Sequence, residues 1–239
     1  MIPRDRILVP LDTPDLARAT DLSRSLSGLV GGMKIGKEFF TALGPQGVRE
    51  AVGKQPLFLD LKFHDIPNTV AGAVRSAVAL EPLILNVHAS GGTAMMTAAA
   101  EAAREESEAR GVPRPRVIGV TVLTSLDDDD LDAVGQKGPA EDQVLRLARL
   151  SHAAGLDGVV CGPREITLLR AALGPDFLLV VPGIRPAWAG RGDQKRVMTP
   201  GEALAAGADY LVIGRPITGA EDPAAAARRI GEELEAAAA

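Results

Sequence analysis

The chain has a single cysteine, Cys161, among its 239 residues. No disulfide can form within it, and a reducing compartment fits. Cys161 lies in the apolar run Gly158-Val159-Val160-Cys161-Gly162 with no base beside it. It reads as a small buried hydrophobe rather than a nucleophile. No apolar run approaches the roughly 18 residues of a membrane span. The opening Met1-Ile2-Pro3-Arg4-Asp5-Arg6 lacks the apolar core of a secretory leader. A cytoplasmic location away from membranes is therefore expected. A basic surface is missing too: the net charge of −5 argues against general nucleic-acid binding. An anionic small substrate stays admissible, because charges local to a cleft decide that. No linker, low-complexity segment or short repeat divides the chain. No Gly-x-Gly-x-x-Gly follows the first β-rich run, so the mark of a dinucleotide-binding sheet is absent.

What is present is an ordinary globular balance, 46% apolar and 24% charged. Short β-rich runs recur at residues 7–11, 32–35, 57–61, 83–88, 117–123, 158–161, 177–181 and 210–213. Helical patterns lie between them, as at 16–29, 68–80, 93–109, 142–154 and 202–206. Thr13-Pro14, Thr199-Pro200 and Asp222-Pro223 each set a capping residue before a proline suited to a first helical position. Gly155 and Gly207 read as C-terminal stops. The run Asp127-Asp128-Asp129-Asp130 reads as a solvated helix start, because acidic residues suit a first turn. Strands alternating with helices imply a parallel sheet. Eight such units in one composition regime predict a single α/β domain over residues 1–239, a closed (β/α)8 TIM barrel. A doubly wound sheet is the alternative.

The unusual polar residues fall at the carboxyl ends of these strands, where barrels of this kind place their active sites. Asp12, Lys34, His88, the pair Thr124-Ser125, Arg185 and Gly214-Arg215 all do so. The densest signal is Phe58-Leu59-Asp60-Leu61-Lys62-Phe63-His64-Asp65, an apolar strand whose tip carries minus, plus, minus within six residues. Side chains at i and i+2 of a strand share a face, so Asp60 and Lys62 are expected to meet. Charges buried there are costly unless paired or used. A base beside a cation suggests proton abstraction, aldol chemistry or decarboxylation. Flanking aspartates would keep Lys62 an ammonium, and so an acid and an electrostatic partner rather than a Schiff-base amine. The carboxylates are also open to Mg²⁺. Gly214-Arg215 predicts a phosphate site, since glycine admits the anion to the backbone and arginine supplies a bidentate fork. The loop after the seventh strand, carrying Arg185, Trp188 and Gln194, suggests a lid. Trp188 reads as loop packing. His64 and His88 read as structural or supporting, and His152 as structural.

Together these segments resemble the orotidine 5′-phosphate decarboxylase family of the bacterial type. The likeness rests on Asp60-x-Lys62-x-x-Asp65 with Ile66-Pro67-Asn68-Thr69, and on Val9-Pro10-Leu11-Asp12 and Gly32-Met33-Lys34-Ile35-Gly36. It rests equally on Val120-Thr121-Val122-Leu123-Thr124-Ser125, Val181-Pro182-Gly183-Ile184-Arg185-Pro186 with Gly192-Asp193-Gln194, and Ile213-Gly214-Arg215-Pro216-Ile217. The resemblance implies a homodimeric barrel that converts orotidine 5′-phosphate to UMP and CO2 without cofactor or metal. It implies a charge network of Lys34, Asp60, Lys62 and Asp65, the last supplied by the neighbouring subunit. Asp60 would face the substrate carboxylate and Lys62 would protonate C6. Asp12 and Lys34 would hold ribose hydroxyls, with Thr69 joining from the partner. Thr124 and Ser125 would meet the pyrimidine, Pro182 would pack on it, and Gln194 would bridge base and phosphate. Arg185, Gly214 and Arg215 would grip the phosphate. Two rivals remain: a Mg²⁺-dependent sugar-phosphate decarboxylase or aldolase on the same barrel, and a non-catalytic phosphonucleotide-binding barrel.

Overall fold

In the computed structural model, residues 2–189 and 198–238 are described, and eight parallel strands close on themselves in chain order. They are β1 (Ile7–Pro10), β2 (Gly32–Gly36), β3 (Leu57–Phe63), β4 (Ile84–His88), β5 (Arg116–Val120), β6 (Gly158–Val160), β7 (Leu178–Pro182) and β8 (Tyr210–Val212). The last pairs with the first, Ile7 opposite Leu211 and Leu8 opposite Val212. Ten α-helices accompany them among the described residues. They are α1 (Leu16–Ser25), α2 (Lys37–Val52), α3 (Pro67–Val78), α4 (Thr93–Arg110), α5 (Asp128–Ala133), α6 (Ala140–Ala153), α7 (Ile166–Leu173), α8 (Pro200–Ala206), α9 (Arg215–Thr218) and α10 (Pro223–Ala238). The expected TIM barrel is therefore observed.

Two of the three proline caps behave as expected. Thr199 and Glu202 form a reciprocal capping box on α8, and Asp222 accepts the Ala225 N–H at 2.9 Å on α10. At the third, the cap lies two residues later. Asp15, not Thr13, caps α1 by accepting the Arg18 N–H at 3.1 Å, while Thr13 Oγ1 takes the Asp15 N–H. Pro14 therefore precedes the helix instead of opening it. The acidic run starts α5, with Asp127 and Asp130 capping each other's backbone. Gly207 ends α8 in the left-handed conformation at φ +109°.

The pleat sorts the barrel interior into two levels. Leu8, Phe58, Ile84, Ile118, Val180 and Tyr210 form a buried apolar layer inside the barrel. Two residues further along each strand the same face presents Pro10, Asp60, Asn86, Val120, Pro182 and Val212. Strands β2 and β6 carry glycine at the lower level, Gly32 and Gly158, and Lys34 and Val160 above. A Cβ at Gly32 would meet the Pro56 carbonyl oxygen at 2.5 Å, and one at Gly158 the Leu178 carbonyl oxygen at 2.3 Å. The chain thus seals its lower half with apolar bulk and keeps charge for the upper level. The larger core fills the shell between strands and helices, with Phe39, Met95, Met96 and Leu234 among its members.

One device repeats at the amino ends of the strands. Asp157, just before β6, takes the Val117 N–H at 2.7 Å and donates its own N–H to the Val117 carbonyl at 2.9 Å. Asp209, just before β8, does the same to Leu179, at 2.8 and 3.0 Å. Each carboxylate also holds an arginine, Arg114 at 2.5 Å and Arg170 at 2.7 Å. Arg170 further donates to the carbonyls of Gly174, Phe177 and Gly207. Backbone groups at this rim thereby gain partners that the strand ladder leaves unmade.

Candidate active site

A cavity of about 440 Å³ opens at the carboxyl ends of the strands, within the usual range for small-ligand sites. Its floor is the upper pleat level with Phe58 of the layer beneath: Phe58, Val120, Val160 and Val212 give apolar surface, and Lys34, Asp60 and Lys62 give charge. Asp12, Thr124, Pro182, Arg185, Gly214 and Arg215 complete the expected lining.

Asp60 is the hub. It is buried at 8% exposure, and its Oδ2 lies 3.1 Å from Lys34 Nζ while Oδ1 lies 2.5 Å from Lys62 Nζ. Lys34 also reaches Asp12 Oδ1 at 3.4 Å. Asn86, fully buried on β4, donates from Nδ2 to Asp60 Oδ1 at 2.7 Å. Burial alone would raise the Asp60 carboxyl. The Lys34 and Lys62 ammonium groups, with hydrogen bonds from Lys62 and Asn86, outweigh it and hold the carboxyl below the ordinary carboxylate range. The array is thus an ionised carboxylate between two cations on an apolar floor.

Asp60 and Lys62 meet as the i, i+2 spacing predicts, although the backbone there is not a regular strand. The register of β3 on β4 slips between Leu59 and Phe63, and Lys62 has φ +51°, in the left-handed region that non-glycine residues avoid. The Lys62 N–H is taken by the Asn86 side-chain oxygen at 2.8 Å. This bulge aims the ammonium into the cavity.

Three expected site residues lie elsewhere. Asp65 and Thr69 are exposed at the start of α3 and do not line the cavity of their own chain; the Asp65 carboxylate accepts the Ile66 N–H at 2.6 Å. Ser125 is exposed, five residues past the end of β5, and is also absent from the lining. Gln194 lies outside the described residues. The predicted fifth strand, 117–123, ends at Val120, so Thr124 is presented by a loop. The segment carrying Arg185 is tied down where the Arg185 N–H donates to the Met198 carbonyl at 3.0 Å. Trp188 packs as expected, with the Arg229 guanidinium 4.5 Å over its ring.

Sequence reasoning missed three residues. Asn86 is a polar residue inside the apolar strand Ile84–His88, and that placement was the available signal. Gly36 gives the array room: a Cβ there would stand 3.1 Å from Asp12 Oδ1 and 3.3 Å from Lys34 Nζ. Arg18, on α1, adds a cation at the cavity mouth and carried no distinguishing signal. Cys161 lines the floor, and burial pushes its thiol up, as the structural reading of that residue requires. Among the described residues, no group of three His, Cys, Asp or Glu side chains could hold a metal ion, and no helix is long and apolar enough to cross a membrane.

The His64 and His88 rings meet at a tilt of 41°, with their centroids 5.4 Å apart. Burial, then the charges of His64, Lys37 and Lys62, push His88 down to about 4. A depressed imidazole stabilises the fold above its unfolded value, near 6.5, and that contribution is lost as pH falls toward 4. His88 is only half-buried, so about 1–2 kcal/mol is expected after allowance for solvent screening. Urea unfolding at pH 7 and pH 5 should therefore show a steeper acid loss in wild type than in His88→Asn. Equal losses would remove this role.

Fold and site together define a class: a (β/α)8 barrel with a lysine–carboxylate–lysine array at the base of an arginine-rimmed cavity. The narrower assignment comes from comparison with known proteins. Residues 5–230 match the orotidine 5′-phosphate decarboxylase / HUMPS family, and the chain belongs to it. It is 60% identical over 230 residues to the orotidine 5′-phosphate decarboxylase of Rhodospirillum rubrum, covering 95% of this chain and 93% of that one. It is 58% identical to that of Moorella thermoacetica, covering 97% and 93%. The crystal structure of orotidine 5′-phosphate decarboxylase from Lactobacillus acidophilus superposes with a TM-score of 0.84 at 35% identity, covering 95% of this chain and 98% of that chain.

Proposed function

We propose that this protein decarboxylates orotidine 5′-phosphate to UMP and CO2 in pyrimidine synthesis, with Lys62 delivering the proton to C6. The observation that carries the reading is the Lys34–Asp60–Lys62 array on the cavity floor, in a chain of that family. The C6–carboxylate bond breaks heterolytically, CO2 leaves, and the electron pair stays on C6. That sp² lone pair lies in the ring plane, where the π system cannot delocalise it. The Lys62 ammonium stabilises the developing charge and transfers one proton to C6, giving UMP and a neutral amine that solvent reprotonates. Asp60, held ionised by two lysines and Asn86, faces the substrate carboxylate. Both its oxygens already take ammonium donors, which suits an electrostatic role better than that of a Mg²⁺ ligand.

Among the remaining assignments, Asp12, Lys34, Thr124, Pro182, Arg185, Gly214 and Arg215 are supported by their place in the cavity lining, and Ser125 and Gln194 by the family motif alone. Asp12 and Lys34 hold ribose hydroxyls, Thr124 and Ser125 meet the pyrimidine, and Pro182 packs on it. Arg185, Gly214 and Arg215 bind the phosphate, with Gln194 bridging phosphate and base. Asp65 and Thr69 serve the site of a partner subunit in a cytoplasmic homodimer. Their outward position supports this, as does Ile66 between them, 67% exposed, an apolar side chain that a second subunit would cover.

The test is ultraviolet-monitored turnover of orotidine 5′-phosphate in EDTA. Conversion to UMP without divalent ions is expected. No turnover by folded protein, or turnover only with Mg²⁺, would reject the reading and return the sugar-phosphate alternative.

A further inference from the structure

We propose that Asn86 is a positioning residue for the proton donor; this rests on the function proposed above. Lys62 leaves the regular strand at φ +51°, and the register slip takes its N–H out of the ladder. A buried N–H without an acceptor is unfavourable, so some group must meet it. Asn86 Oδ1 does so at 2.8 Å, and Nδ2 of the same amide donates to Asp60 Oδ1 at 2.7 Å. That carboxylate oxygen also receives Lys62 Nζ at 2.5 Å. The three groups form a closed ring: Asn86 to the Lys62 main chain, the Lys62 side chain to Asp60, and Asp60 back to Asn86.

The chemistry of the ring requires an amide of this length. The main-chain N–H needs an acceptor and the carboxylate needs a donor, and a primary amide supplies one of each. Aspartate would offer only acceptors, an aliphatic residue neither, and glutamine a chain one methylene too long. Asn86 is fully buried and its strand places it on the inward face one level above Ile84, so its own position is fixed by packing. Its amide hydrogen-bonds to the Lys62 main chain and the Asp60 carboxylate. Its effect therefore falls on where Lys62 Nζ stands and not on how the nucleotide is gripped.

Two variants test this beside wild type. Asn86→Ala is expected to lose on the order of 100-fold in kcat, the scale of an ångström-sized misplacement, with KM changed only a few fold. Asn86→Asp keeps the acceptor but sets a second carboxylate against Asp60. One proton shared by that pair restores both the donor and the single negative charge. The ratio of its kcat to that of wild type should therefore rise as pH is lowered from 8 to 5. A residue that only supported the fold would give a flat ratio. Wild-type kcat in folded Asn86→Ala, or a pH-independent ratio for Asn86→Asp should the alanine variant not fold, would overturn the assignment. Absent wild-type turnover in the same assay would instead reject the decarboxylase reading, and the Asn86 role with it.

Discussion

Lys62→Ala should lower kcat for orotidine 5′-phosphate by at least about 10⁴-fold while leaving UMP affinity far less changed. Two contributions vanish together. A positioned general acid accounts for roughly 10² to 10⁴ in rate, and a preorganised charge beside a developing carbanion for about 10² to 10³ more. The barrier reduction such a reaction needs is on the order of 20 kcal/mol, so no single residue supplies all of it. The rest comes from Asp60, Lys34 and the apolar floor, which the variant retains. Lys62→Arg separates the two contributions. It keeps a cation, yet a guanidinium does not give up its proton at neutral pH, so it should remain severely impaired if proton delivery matters. Steady-state rates of the three proteins with titrated UMP inhibition check this. A loss below about tenfold in Lys62→Ala would show that another group, or water, protonates C6.

Arg215→Ala should lower kcat/KM on the order of 10³-fold, although Arg215 stands at the far end of the cavity from the reacting carbon in the proposed binding mode. Removing one partner of a desolvated charge pair costs about 2–5 kcal/mol in general, which sets that scale. Binding energy from a remote group can organise the site as well as hold the substrate, so part of the loss is expected in kcat. Orotidine, which lacks the phosphate, is the control: wild type and variant should turn it over at equal, low rates. A variant as impaired on orotidine as on the phosphorylated substrate would place Arg215 in the fold rather than in phosphate recognition.

The barrel was legible because strand tips and helix caps are local signals. Eight β-rich runs, separated by capped helices, left few topologies, and the polar residues that stood out as site candidates fell at the carboxyl ends of those runs. The helices Lys37–Val52 and Ile166–Leu173 were not among the patterns read. Gly44, at φ +60°, and Pro45 break the first of these midway, and the sequence shows the break more plainly than the helix. The cap of α1 was misplaced because Thr13-Pro14 and Asp15 are adjacent, and only the backbone decides which side chain meets the free N–H groups. Within the site, the meeting of Asp60 with Lys62 was legible from the pleat. The left-handed backbone of Lys62 was not, because lysine carries no local preference for that conformation. Asn86 escaped notice for the same reason: its partner is a main-chain N–H freed by the bulge. Asp65 and Thr69 could be read as motif positions, yet one chain does not show which cavity they serve.

The paired aspartates Asp157 and Asp209 tie neighbouring strands at one end of the barrel, and six apolar side chains separate that end from the charged array. The protein is consequently modular along its axis, a keel below and a workbench above. Thermostability could be engineered at the keel, and substrate range altered at the workbench, with the two sets of changes combining nearly additively where the apolar layer separates them.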